Sequence, residues 1–101
     1  MSTLGKSFAT PIGIYENITA TTTGTTVKNG GGYLYSITFN KPVATSVITL
    51  YDGTSTSGTV IGTITVPSSP QPSTLSYNIA FNTGLFVVVA TAASDITISY
   101  E

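Results

Sequence analysis

Residues 75–90 read LSYNIAFNTGLFVVVA, and they contain the two patterns that decide the fold. In the first half, apolar side chains take every second position, which is the period of a half-buried strand: Leu75, Tyr77, Ile79 and Phe81. The Asn-Thr-Gly at 82–84 is typical of a turn. The apolar run at 85–90 predicts a central strand that is buried on both faces. This stretch therefore predicts two strands at the centre of a β protein.

The same alternation occurs before and after this stretch. Residues 33–39 predict a strand whose core-facing side chains are Tyr33, Tyr35, Ile37 and Phe39. The Asn-Gly-Gly-Gly at 29–32 precedes it and predicts a turn, because glycine tolerates the positive φ angles of tight reversals. Residues 95–100 predict a last strand with inward-facing Ile96, Ile98 and Tyr100.

The remaining strands are shorter or less regular. Residues 14–22 predict an edge strand, residues 24–28 a short second stretch, and residues 46–51 a further strand. Residues 59–66 predict a strand with one face formed by Val60, Ile64 and Val66. Three prolines within residues 67–72 remove the backbone donors that a central strand needs, so this segment predicts an exposed connection.

The spacing of these strands indicates the fold class. Strands at roughly 8–12-residue intervals, short loops and almost no helical periodicity are typical of an all-β antiparallel fold. We predict an antiparallel β-sandwich or a jelly-roll-like barrel of seven to eight strands; the spacing does not choose between them. Residues 14–101 form this single domain, and residues 1–13 predict an extended N-terminal arm.

The composition excludes several classes of partner. Of 101 residues only 7% are charged, and cysteine, histidine and tryptophan are absent. Three lysines without an arginine cannot form the cationic stripe that binds nucleic acid. No apolar run reaches the length of a membrane-spanning helix, and residues 1–10 lack the apolar segment of a secretory signal. We therefore expect synthesis in a cytoplasm, with neither nucleic acid nor a membrane as direct partner.

Catalytic and metal-binding patterns are missing from the sequence as well. Without His or Cys a zinc site is excluded, and no calcium-loop string is present. The pair Lys6-Ser7 lies in the predicted arm, where a catalytic pair lacks rigid support. Asp52 begins a turn with Gly53, where an aspartate bonds to backbone. The four carboxylates show no spacing that suggests one cleft: Glu16, Asp52, Asp95 and Glu101. We predict no catalytic residue, no metal and no cofactor, and hence no enzyme.

The neutral surface favours association with other proteins. Twenty threonines and twelve serines fill most polar positions, and low charge removes one barrier to association. The candidate contact residues are Leu4, Phe8 and Ile12 in the arm, and Tyr15 and Tyr51 in the domain, because tyrosine is enriched at interfaces.

Four segments together resemble a known class of β protein. They are KNGGGYLYSIT at 28–38, TLYDGTSTSGT at 49–59, YNIAFNTGL at 77–85 and ASDITISY at 93–100. In this order they resemble small β-sandwich virion structural proteins of tailed bacteriophages, most closely capsid decoration (cement) proteins.

The resemblance implies a function, partners and a location. A decoration protein binds the outer surface of a bacteriophage capsid and stabilises the shell without catalysis. The implied partners are the major capsid protein of the same virion and copies of the chain itself, a trimer being favoured over a dimer. The implied location is the capsid surface of the virion, after synthesis in the host bacterial cytoplasm. Two alternatives stay open: a tail, neck or fibre component of the virion, and a small carbohydrate- or ligand-binding β module.

Overall fold

Eight antiparallel strands form two four-stranded sheets in the computed structural model, which describes residues 14–101. The strands are β1 (Ile14–Ile18), β2 (Thr22–Asn29), β3 (Gly32–Lys41), β4 (Val47–Asp52), β5 (Thr59–Thr65), β6 (Ser73–Phe81), β7 (Gly84–Ala90) and β8 (Asp95–Tyr100). The first sheet has the order β1-β8-β3-β6 and the second has the order β2-β7-β4-β5. The predicted all-β antiparallel sandwich is confirmed. The predicted arm at 1–13 lies outside the described residues.

The strand order chooses between the two predicted topologies. Of the seven connections, only β4 to β5 stays within one sheet; all others cross between the sheets. The paired strands β1·β8, β2·β7, β3·β6 and β4·β5 follow from folding the chain into one long hairpin and rolling it up. This arrangement is a jelly roll, in which two sheets of four strands enclose one core.

The core lies between the sheets and is made of the inward-facing residues of their strands. The fully enclosed apolar side chains are Leu34, Ile37, Ile48, Leu50, Leu85, Val87, Val89, Ile96 and Ile98. Phe39, Phe81 and Tyr100 are buried beside them, so the predicted inward faces of residues 95–100 and of Ile37 and Phe39 are confirmed. Tyr77 and Ile79 pack against this core as predicted, but Leu75 is 37% exposed.

Two buried serines tie together the loops at one end of the sandwich. The Ser46 hydroxyl donates to the carbonyl oxygen of Ala92 at 2.7 Å, and the backbone nitrogen of Val43 donates to the Ser94 hydroxyl at 2.9 Å. Buried polar groups need such partners, because an unpaired one costs its full desolvation energy. The β3–β4 and β7–β8 connections are therefore held to each other.

Strand β3 departs from the predicted alternation. Its pairing with β8 passes from Leu34–Tyr100 to Ser36–Ser99 and so skips Tyr35, which is a β-bulge in β3; the pairing with β6 shifts at the same place, with the extra residue in β6. Leu34 consequently faces the core with no exposed surface, while Tyr33 and Tyr35 are half-buried on the outer face of the first sheet. The prediction that these two tyrosines face the core is wrong, because an extra residue reverses the alternation.

A second register shift corrects the prediction for β5. Pairing with β4 skips Ile61, so Val60 faces outward and is 53% exposed, while Ile61 packs against the core. The inward positions of Ile64 and Val66 are confirmed.

The apolar run at 85–90 does form a central strand, β7, but its second face is only half-covered at Phe86. The prediction of burial on both faces is therefore wrong for the single chain.

The predicted connections fall where they were expected. The glycine turn at 29–32 joins β2 to β3, and Gly30 has a φ of 105° that a residue with a side chain rarely adopts. The proline segment at 67–72 is an irregular, mostly exposed connection between β5 and β6. The predicted edge strand at 14–22 ends at Ile18, and β1 does lie at an edge of the first sheet.

Candidate interaction surfaces

The most exposed large apolar side chains of residues 14–101 stand where the described domain begins. Tyr15 is 72% exposed and Ile14 is 58% exposed, both in edge strand β1. Tyr15 was one of the predicted contact residues, and its free position makes it accessible to a partner. The other predicted contacts in this part of the chain lie outside the described residues: Leu4, Phe8 and Ile12.

Two further tyrosines lie on the same outer face as Tyr15. The rings of Tyr33 and Tyr35 are tilted by 56° with their centroids 4.9 Å apart. Tyr15 pairs with Ser99 of β8, which pairs in turn with Ser36, the neighbour of Tyr35. We call Tyr15, Tyr33 and Tyr35 the tyrosine cluster.

A carboxylate fixes one edge of the tyrosine cluster. The Tyr35 hydroxyl donates to Oε1 of Glu101 at 2.9 Å. This hydrogen bond, together with smaller contributions from desolvation and from the charge of Glu101, raises the pKa of Tyr35. The phenol therefore stays a protonated donor well into the alkaline range.

The rest of this outer face is polar and bonded within itself. The Asn17 amide donates to Oδ1 of Asp95 at 2.7 Å, and the Asn40 amide donates to Oγ1 of Thr97 at 2.8 Å. Such pairs fix side chains across neighbouring strands, so this face presents a rigid surface of small hydroxyl and amide groups.

The outer face of the second sheet has a different character. Three cross-strand rows cover β5, β4 and β7: Val60–Tyr51–Phe86, Thr63–Thr49–Val88 and Thr65–Val47–Ala90. We call these nine residues the apolar face, and none of them carries a charge. Tyr51, another predicted contact residue, is half-buried here with its ring 6.1 Å from that of Phe86 in an edge-to-face arrangement.

Tyr51 of the apolar face was predicted as a contact residue, but Phe86, Val88 and Val60 were not. The signal that could have found the first two is the apolar run at 85–90, because alternate residues of a strand face opposite sides of its sheet. Val60 carried no such signal, since the bulge at Ile61 that turns it outward cannot be read from alternation.

A groove of about 380 Å³ opens at one end of the sandwich, beneath the proline connection. It is lined mainly by apolar residues, among them Phe39, Ile64, Val66 and Leu75, with hydroxyl and amide groups of the connection at its rim. It lies at the opposite end of β3 from Tyr33. The apolar lining of this groove suits an apolar side chain.

Three of the four side-chain carboxylates in residues 14–101 accept hydrogen bonds from different partners. Asp52 accepts hydrogen bonds from the backbone of residues 82–84, Asp95 is bonded to Asn17, and Glu101 to Tyr35. Within residues 14–101 no three side chains of the metal-binding types come together. Asp52 thus bonds to backbone as expected, but to a different loop from its own turn.

Comparison of the chain with protein-family models, with curated proteins and with solved structures finds no match. Among the described residues no helix is long and apolar enough to cross a membrane. The molecule is thus defined by its architecture: an eight-stranded jelly roll with a tyrosine cluster on one outer face and an uncharged apolar face on the other.

Proposed function

We propose that this chain is a non-enzymatic virion structural protein that binds the outer surface of a bacteriophage capsid and stabilises the shell. The observation that carries the proposal is the exposure of Tyr15 and Ile14 at the start of the domain. Exposed tyrosine in a chain of such low charge supports a protein partner, since protein interfaces are enriched in aromatic residues and depleted in charge at their centres.

The position of Tyr15 connects this surface to residues 1–13. Leu4, Phe8 and Ile12 precede it in the chain, so an arm and the tyrosine cluster can engage one partner together. Two linked contacts bind more tightly than either alone, because the second forms within the complex. In this proposal the partner is the major capsid protein, and the location is the capsid surface.

Stabilisation of the shell then follows from mass action. A protein that binds only the assembled shell lowers the free energy of that state, and many copies add their contributions. The rigid network of Asn17, Asn40, Thr97 and Asp95 supports this role, because a pre-ordered surface loses little entropy on binding. The jelly roll, which also occurs in viral capsid proteins and lectins, supports it by analogy alone.

A ligand-binding module is the second candidate, favoured by one observation. Tyr33 and Tyr35 form a tilted aromatic pair with the Glu101 carboxylate at its edge. Aromatic faces with a neighbouring hydrogen-bond acceptor suit carbohydrate. A saccharide that shifts the resonances of both tyrosines at millimolar concentration, together with the absence of the chain from particles, supports this candidate over the first.

The deciding experiment is the copy number of this chain in purified particles from its source, measured by quantitative mass spectrometry against the major shell protein. Hundreds of copies in a simple ratio to the shell protein are the expected result. About a dozen copies would move the protein to the tail, neck or fibre, since those structures contain few copies of each component. No copies at all would overturn the virion proposal.

A further inference from the structure

We propose that the apolar face docks on the same face of a second copy, so that two sandwiches pair through their second sheets. We expect this pairing in solution, whether or not the chain binds a capsid. Only a role of the pairing on a capsid shell rests on the proposed function. The row of Thr63, Thr49 and Val88 forms the centre of this contact, and the aromatic pair of Tyr51 and Phe86 lies beside it.

The first support comes from strand β7. Its residues 85–90, LFVVVA, are apolar at every position, which is typical of a strand covered on both faces. In the single chain Leu85, Val87 and Val89 are buried, but Phe86 and Val88 on the opposite face are only half-buried. A second copy supplies the missing cover.

The second support is the distribution of charge. None of the nine residues of the apolar face is charged, whereas Asp95 and Glu101 lie on the outer face of the first sheet. A face without charge meets its own copy without repulsion, and it offers nothing to an acidic, basic or nucleic-acid partner. The same face of a second copy is equally uncharged, and we therefore take it as the occupant.

The third support is geometric: the apolar face and the tyrosine cluster lie on opposite sides of the molecule. The two outer faces lie on opposite sides of a sandwich whose smallest extent is 19 Å, so a partner bound to the tyrosine cluster leaves the apolar face free. A flat sheet face can stack on another at a spacing of about 10 Å.

The area available predicts a weak contact. The three strands of the apolar face, at about 4.8 Å each, and five residues at about 3.3 Å give roughly 240 Å² in projection for each partner. The total of roughly 480 Å² lies below the ~1,200 Å² at which stable interfaces begin. We therefore expect a dissociation constant in the micromolar range or weaker, so that copies pair mainly where a surface concentrates them.

This pairing gives a defined symmetry. A surface that binds itself is related to its partner by a two-fold axis, so the product is a dimer. The sequence-based expectation favoured a trimer, which requires two different contact surfaces on each copy. The mass of the associated species in solution distinguishes the two.

The test is sedimentation equilibrium of the full chain from about 10 μM to about 1 mM, a range that spans weak association. We expect the weight-average mass to rise from 10.4 kDa towards twice that value. Thr49→Lys places a charge in the middle of the apolar face and should hold the mass at the monomer value. Thr38→Lys makes the same change on a half-buried, outward position of the first sheet and should associate as the original chain does.

Val60→Lys serves as a second variant, because Val60 is exposed and its replacement leaves the core intact. We expect it to weaken association at least tenfold, as measured by the dissociation constant. The proposal is overturned if the mass of the original chain stays at one chain or reaches a three-chain species. It is also overturned if Thr49→Lys and Val60→Lys both associate as strongly as the original chain, or if Thr38→Lys loses association to the same extent as they do. Capsid binding measured below the association range is independent of these results, so failure of the proposed function is separately visible.

Discussion

The Oδ1 atom of Asp52 lies 2.8 Å from the backbone nitrogen of Thr83, a residue 31 positions later in the chain. The backbone nitrogen of Asn82 also donates to both oxygens of the same carboxylate, at 3.1 and 3.0 Å. One side chain at the end of β4 thus anchors the turn between β6 and β7. These amide donors favour the charged carboxylate, and the bond from Asn82, then that from Thr83, lowers the pKa of Asp52.

This anchor predicts a pH-dependent loss of stability in Asp52→Asn. A carboxyl group whose pKa is lower in the folded state stabilises the fold above its unfolded pKa of about 4, and this contribution is lost as the pH falls through the folded pKa. We expect Asp52→Asn to melt at a lower temperature than the original chain at pH 7. The difference should shrink steadily below about pH 4. Thermal unfolding followed by circular dichroism across this range measures it.

The control for this prediction is Glu16→Gln, which makes the same change of charge in β1, away from the β6–β7 turn. It should leave the pH dependence of the melting temperature nearly unchanged. Equal melting temperatures for Asp52→Asn and the original chain at pH 7 would contradict the anchoring role.

The buried phenylalanines supply a second prediction. Phe39 and Phe81 are 4% and 2% exposed, so truncation of either to alanine should lower the free energy of unfolding by about 3–5 kcal/mol. Tyr33→Ala removes an aromatic ring of similar size from the outer face of the same strand as Phe39, and it should cost less than about 1.5 kcal/mol. Urea unfolding of the three variants measures both values, and equal losses would contradict the bulge at Tyr35.

The bulges mark the limit of what the sequence predicts about the fold. Regular alternation correctly placed Ile37, Phe39, Ile96 and Ile98, because a strand without insertions keeps a period of two. A bulge adds one residue, and its position depends on how neighbouring strands pair, which a single strand's sequence does not encode. Tyr35 occupies such a position. Regular alternation therefore assigned Tyr33 and Tyr35 to the core face, although both lie on the outer face.

The candidate surfaces were predictable to a similar degree. Tyr15 was identified because tyrosine is enriched at interfaces and because, unlike Tyr33, Tyr35, Tyr77 and Tyr100, it was not assigned to a core face. The apolar face needed the strand order β5-β4-β7, which brings together Val60, Tyr51 and Phe86 from three separate parts of the chain. Pairing between distant strands depends on the whole topology, so local pattern could not reveal that face. For the same reason, local pattern could not predict that Asp52 accepts hydrogen bonds from the backbone of residues 82–84.

A third prediction concerns Gly24 beneath the ring of Phe86. A Cβ atom at this position would overlap the Phe86 side chain, and the φ of 155° is itself unfavourable for other residues. We expect Gly24→Ala to destabilise the fold by about 1–3 kcal/mol, since added volume at a packed contact forces neighbours to move. Urea unfolding measures the loss.

Gly30→Ala is the matched control for Gly24→Ala. Gly30 also has a positive φ, but a Cβ there meets open space, so its cost contains the backbone strain without the steric clash. The double variant Gly24→Ala with Phe86→Leu should recover part of the loss, because the smaller side chain leaves room. Equal costs at the two glycines, with no recovery in the double variant, would show that Phe86 does not confine Gly24.

The fourth prediction joins residues 1–13 to the proposed capsid contact. Removal of residues 2–12 should abolish binding to purified shells while leaving the thermal unfolding of the domain unchanged, because the buried apolar side chains of residues 14–101 pack on one another as one cluster. Tyr15→Ser should weaken binding in the full chain, since it removes the most exposed aromatic side chain next to that segment. Thr65→Ser on the opposite sheet is the control and should bind as the original chain does. Co-sedimentation with shells measures binding of all three proteins. Unaltered binding after the deletion would contradict a role for Leu4, Phe8 and Ile12. Loss of binding in Thr65→Ser alone would assign the capsid contact to the second sheet.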